Sequence, residues 1–430
     1  MILRSRRVVT PSGVRAATIH IRGEKIERIG DFEETADIDY GDLVIMPGLV
    51  DSHVHVNEPG RTEWEGFESA TRAAAAGGVT TIIDMPLNSI PATTSVDALL
   101  TKAQAMEGKC WVDVGLWGGA VPGNATQLKP MLREGALGFK CFLVDSGVPE
   151  FGFLDSAGLE AALRELRDTN APLLVHAELP QLIGSAAGAS YRAYLRSRPS
   201  EAEDAAIELV YDAAKRTGAR THIVHLSSAA ALQTILRARD HQIPLTAETT
   251  PHYLHFEAES IPDGAPQFKC APPIREHANR EKLWRGIEDE LLAGIVSDHS
   301  PCAPELKRLD DGNVERAWGG ISSLQFGLPI IWSDGRLSLE SIAHLMCQGP
   351  AAIAGIQKGA IKPGFDADLA VWAPEESFRV TPDIVQHRHK LTPYAGEQFR
   401  GVVKATYVRG RKVWQDGRAV GSPSGKWIRR

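Results

Sequence analysis

From about residue 48 to residue 350 the chain alternates short apolar runs with stretches whose apolar residues recur at helical spacing. The runs at 49–53, 80–84, 111–116, 137–141, 173–176, 221–226, 243–247 and 294–298 read as eight buried strands. Helical patterns fall between them, as at 64–76, 157–167 and 201–216. Ser200 and Glu203 stand at capping-box spacing at the head of the last of these. Eight strand–helix units over this length predict an α/β fold, a (β/α)8 TIM-like barrel. A doubly wound open sheet is the alternative. No Gly-x-Gly-x-x-Gly follows an early strand, so a dinucleotide fold has no support.

The two ends have a different texture. Short β-like runs at 8–10, 17–21 and 25–29 are separated by Gly and Pro turns, and similar runs return at 367–372, 401–408 and 410–414. The expectation is a small β-sandwich domain built from both termini, 1–47 and 353–430, around a barrel domain at 48–352. A chain of 430 residues is too long for one small core, and 43% hydrophobic residues allow a large one.

Charge and cysteine usage narrow the function classes. Net charge is −7 and no Lys/Arg block suggests a nucleic-acid partner. No run approaches the ~18 apolar residues of a membrane span. The N-terminus lacks a signal peptide's apolar core, so a cytoplasmic location is expected. The five cysteines (Cys110, Cys141, Cys270, Cys302, Cys347) form no Cys-x-x-Cys pair, which argues against a disulfide framework or a thiolate zinc cluster.

The chemistry gathers where strands end. His53 and His55 lie one residue apart at the end of the first strand, so their imidazoles share a face. Two neutral imidazoles can hold a divalent metal, and such a metal makes a nucleophile of water at neutral pH. Lys140 sits in strand four, His176 ends strand five, His225 ends strand six and Asp298 ends strand eight. In a barrel, those ends meet at one rim. Each residue also has a structural reading. His176 and His225 could be hydrogen-bonded core histidines, and Asp298 could cap a helix. Lys140, inside Leu-Gly-Phe-Lys-Cys-Phe-Leu, could pair with a carboxylate or extend its head to water. Its other reading is a buried amine of lowered pKa that takes up carbon dioxide as a carbamate, an anionic oxygen donor.

This constellation resembles the amidohydrolase superfamily in its cyclic-amidase branch, which holds dihydroorotases, hydantoinases, dihydropyrimidinases and allantoinases. The resemblance covers essentially the whole chain. It implies two divalent metal ions per chain, zinc first, with cobalt, manganese, iron or nickel as alternatives. His53, His55 and Asp298 would hold one and His176 and His225 the other. Lys140 would bridge them as N6-carboxylysine, and Asp298 would be the catalytic base and acid.

Within the branch, the segments 55–67, 84–89, 117–122, 138–142, 298–302 and 318–321 are similar to those of allantoinases. Asn57 stands where dihydroorotases place an arginine, Cys302 where they place a histidine, and Asp145 where hydantoinases place a tyrosine. Arg61 is left as a possible anion binder. The implied activity is hydrolytic opening of allantoin to allantoate. The alternatives are a hydantoinase or dihydropyrimidinase, a dihydroorotase, a mononuclear deaminase and a non-catalytic scaffold. The implied partners are a small cyclic ureide, contacted by Asn57, Asn88, Cys302 and Gly320, and further copies of the chain in a dimer or tetramer.

Overall fold

Eight parallel strands close into a barrel, and that closure excludes the open-sheet alternative. In the computed structural model, which describes residues 1–186 and 188–430, they are Leu49–Val54, Val79–Asp84, Asp113–Leu116, Phe139–Phe142, Leu173–His176, Thr221–Ile223, Leu245–Thr249 and Gly294–Ile295. Successive strands pair in parallel. Between the third and fourth, Gly118–Gly119 pairs with Phe139 and Lys140. A parallel bridge between Val54 and His299 joins the last strand to the first, with His55 N–H donating to His299 O at 2.8 Å.

Some strands are shorter than their apolar runs, for a local reason. The regular ladder stops at Ile223 and at Ile295. His225 (φ 38°) and Asp298 (φ 45°) then adopt left-handed backbone. Non-glycine residues pay about 1–2 kcal/mol there, and such strain collects at functional sites.

The helix expected at 64–76 begins at Phe67, because Gly66 at φ 99° cannot belong to it. The capping box is corrected. Pro199 occupies the cap position of helix Ser200–Thr217, with no side-chain cap. Glu203 points inward instead. It accepts from Ser227 N–H and Oγ, both at 2.7 Å, and from Ser228 N–H at 3.0 Å, and it pairs with buried Arg275 at 3.1 Å. Those partners outweigh the single bond a cap would offer.

The termini build one nine-stranded sheet. Val44–Pro47 is its hinge, parallel to Ile2–Thr10 on one side and antiparallel to Leu369–Arg379 on the other. Leu3, Ile19, Ile45, Leu369, Val371 and Tyr407 share its apolar cluster. The last strand, Trp427–Ile428, leaves that sheet and pairs with the barrel strand Asp113–Leu116. Buried Lys358 links the two layers, with Nζ at 2.8 Å from Asp113 and 3.1 Å from Asp366, and bonded also to Asp368. No helix among the described residues is long and apolar enough to cross a membrane.

Candidate metal centre

At the mouth of the barrel the strand ends bring His53, His55, Lys140, His176, His225 and Asp298 to the floor of one cavity of about 490 Å3. All six are buried, none more than 7% exposed. They fall into two groups. His53 Nε2 is 3.2 Å and His55 Nε2 3.6 Å from Asp298 Oδ1. In the second group His176 Nδ1 faces His225 Nε2 at 3.1 Å. The groups adjoin, with the His53 and His225 rings 5.3 Å apart.

Carboxylates behind the floor orient the imidazoles. His53 Nδ1 donates to Glu248 Oε1 at 2.9 Å, and the other Glu248 oxygen lies 3.2 Å from His222 Nε2. His176 Nε2 donates to Glu178 at 2.7 Å, and Glu178 is itself gripped by Arg198 at 2.6 Å. Each histidine therefore turns its remaining nitrogen toward the floor, as metal-binding imidazoles held from behind do. None of these four supporting residues was assigned a role from the sequence. The signal was Glu248 itself, an acid inside an apolar strand.

The electrostatics agree with the geometry. Burial favours the neutral imidazole, which is the ligating form, and pushes His55 down to about 4 and His225 well below its ordinary value. Burial opposes ionisation of Asp298, yet the imidazoles of His53 and His55 hold its carboxyl far below the usual carboxylate range. Lys140 has neither of its two structural partners. It is 1% exposed, so its head does not reach water, and its Nζ has no hydrogen-bond acceptor among the described residues. Burial lowers it to about 8, and Nζ sits 4.8 Å from the centre of the Phe142 ring.

The four residues expected at the substrate are divided. Asn88 lines the cavity with its amide 3.4 Å from His55 Nδ1, and Gly320 lines it too. A Cβ on Gly320 would fall 2.4 Å from Ser300 O, so only glycine fits. Asn57 is buried behind the wall, donating to Pro301 O at 3.1 Å, and Cys302 is also buried away from the lining. Arg61 is not a free anion binder. It pairs with Glu150, donates to Asn88 O at 3.0 Å and lies 5.1 Å over Trp64. A second acidic cluster, Asp113, Asp366 and Asp368, is already paired with Lys358, Arg409 and Lys25 and is a structural clamp.

A family model described as "Amidohydrolase family" matches residues 44–413. The chain belongs to the amidohydrolase family. This amidohydrolase is similar to an allantoinase of Streptomyces avermitilis, 47% identical over 442 residues that cover 100% of the chain and 98% of the relative. It is 42% identical to an allantoinase of Arabidopsis thaliana, covering 98% of the chain and 89% of that relative. Among solved structures, the L-hydantoinase (dihydropyrimidinase) of Arthrobacter aurescens superposes with a TM-score of 0.93 at 29% identity, covering 100% and 99% of the two chains. Cyclic-amide hydrolysis is the activity class of the amidohydrolase. A donor set of imidazole and carboxylate suits divalent ions. The unpartnered Lys140 Nζ and the two imidazole nitrogens 3.1 Å apart fit a binuclear divalent metal centre.

Proposed function

We propose that this amidohydrolase opens the hydantoin ring of allantoin with water to give allantoate. The observation that carries the reading is the convergence of the six floor residues on one cavity, in a chain similar from end to end to curated allantoinases.

In this reading His53, His55 and Asp298 hold one zinc ion and His176 and His225 the other. Lys140 would be carboxylated: its neutral amine would add to carbon dioxide, forming an N–C bond and releasing one proton, and the resulting carbamate would supply an anionic oxygen donor to the ions. Two divalent cations so held supply a water of lowered pKa and a Lewis acid for the ring carbonyl. Asp298, ionised and fixed between two imidazoles, accepts the proton of the attacking water. It then delivers that proton to the ring nitrogen as the carbon–nitrogen bond breaks. Glu248 and Glu178 keep His53 and His176 in the orientation this requires. Asn88 and the wall at Gly320 orient the ureide, and Arg61, tied to Glu150, holds the Asn88 carbonyl from behind the lining.

The test is a panel of allantoin, hydantoin, dihydrouracil and dihydroorotate on zinc-loaded protein, with metal content measured alongside. Turnover of allantoin with about two ions per chain supports the reading. Turnover of dihydroorotate without allantoin overturns it.

A further inference from the structure

One wall of the cavity carries two lysines used in an unusual way. Residues 315–320 line the cavity. Lys269 Nζ donates to the carbonyls of Glu315 and Ala317, both at 2.7 Å. Lys307 Nζ donates to the carbonyls of Trp318 at 2.8 Å, Gly320, and Lys269 at 3.3 Å. Four carbonyls of one six-residue stretch are thus held by two ammonium groups. Lys307 is 4% exposed, and neither lysine pairs with a carboxylate among the described residues. Burying a cation without a counter-charge is costly, and an apolar side chain at 307 would avoid that cost.

The peptide between Trp318 and Gly319 shows what the cation does. Its carbonyl is on Lys307. Its other end, the Gly319 N–H, has no acceptor among the described residues. The neighbouring amides are all engaged: Ala317 N–H on Asn313 O at 3.0 Å, Trp318 N–H on Leu306 O at 2.8 Å, Gly320 N–H on Lys269 O at 2.9 Å. Gly319 lies on the lining, and a Cβ built on it meets nothing closer than Lys269 Cε at 4.0 Å, so there is open space beside it. A cation on an amide's carbonyl polarises the unit and strengthens its N–H as a donor.

We propose that Lys307 is a positioning residue that polarises the Trp318–Gly319 peptide, making the Gly319 N–H a donor to a carbonyl oxygen of the cyclic ureide, while Lys269 fixes the same stretch in place. The proposal rests on the ring-opening reading above. It does not depend on which ring amide is turned over, so it can be tested on any member of the panel that proves active.

The experiment is a double-mutant cycle on zinc-loaded protein, combining Lys307→Met with Gly319→Pro, which removes the N–H. Metal content and thermal midpoint are measured alongside kcat and KM. Each single change is expected to raise KM about tenfold, 1.4 kcal/mol, with kcat changed less. The double variant is expected to stay near tenfold, because both remove the same bond. Lys307→Arg should recover most of the loss. A double variant whose KM rises by the product of the two effects overturns the proposal, as does a folded Lys307→Met protein with unchanged KM. If the methionine variant does not fold, Lys307→Gln, which keeps an uncharged donor, replaces it. An intermediate KM for that variant supports the proposal and a wild-type KM refutes it.

Discussion

Glu248→Gln tests whether the carboxylate behind the floor sets the metal affinity of one site and not the other. Glu248 is fully buried and shared by His53 Nδ1 at 2.9 Å and His222 Nε2 at 3.2 Å, and those imidazoles hold its carboxyl near 2 against the opposing effect of burial. Glutamine has nearly the same shape but no charge, and can accept from only one of the two rings through its single oxygen. A hydrogen bond to a charged group contributes about 1.5–3 kcal/mol and a neutral one about 0.5–1.5. Replacing one by the other at His53 therefore removes about 1–2 kcal/mol of orientation. That corresponds to a loss of roughly 5- to 30-fold in affinity, within the ~10- to 100-fold typical of residues supporting a ligand. An ion that His176 and His225 would hold, with Glu178 behind His176 instead, should be unaffected. Titrating the loaded variant with a chromogenic chelator should resolve two release steps, the weaker one shifted and the tighter one matching wild type. Release of both ions at wild-type chelator concentrations would refute the assignment of Glu248, and selective loss of the His176 ion would refute the division into two groups. Glu178→Gln is the less clean mirror experiment, because it also strands Arg198 beside a neutral amide.

Other consequences can be checked independently. Lys140→Ala should lose metal and turnover together, with partial recovery in a short carboxylic acid, and a metal-replete, fully active alanine variant would exclude the carbamate. Arg61→Met, which releases Glu150 and Asn88 O, should raise KM several-fold for neutral and anionic substrates alike, whereas a loss confined to anionic substrates would restore Arg61 as an anion binder. Buried His252 and His387 are held neutral, pushed by burial from 6.5 down to about 4 and about 3. The unfolded chain protonates them first, so stability of the chelator-stripped protein should fall as pH drops from about 6.5 toward 4, and a urea midpoint constant across that window would contradict it. Lys358→Met removes the ammonium shared by buried Asp113 and Asp368 and half-buried Asp366, and should cost about 3–5 kcal/mol in urea unfolding.

Much of this architecture was legible because it follows from local rules. A strand period of two places His53 and His55 on one face, and the barrel rule carries His176, His225 and Asp298 to one rim. Lys140 stood out because an ammonium inside Leu-Gly-Phe-Lys-Cys-Phe-Leu conflicts with its neighbours. What escaped was decided by distant partners. Glu203 looked like half of a capping box, but Arg275, 72 residues away, draws it inward. Arg61 looked free until Glu150 was found against it, 89 residues on. Glu178 and Glu248 acquire meaning only once the rings of His176 and His53 are seen against them. Trp427–Ile428 is too short to carry a strand signal and pairs with a barrel strand more than 300 residues earlier.

The buried charges at the floor give the carbamate a further physical argument. Asp298, Glu248 and Glu178 are all held ionised, and Arg198 offsets one of them. With Lys140 as a neutral amine, the groups behind and on the floor carry two negative charges against four positive charges on two divalent ions. That excess would sit in a water-poor site, where uncompensated charge is most expensive. A carbamate on Lys140 reduces the excess to a single positive charge. One net positive charge above the floor is what a substrate carbonyl requires as negative charge develops on its oxygen, and it is small enough to leave room for the neutral ring to bind. An ammonium at Lys140 would instead add repulsion to the metals, which its burial and missing acceptor already disfavour.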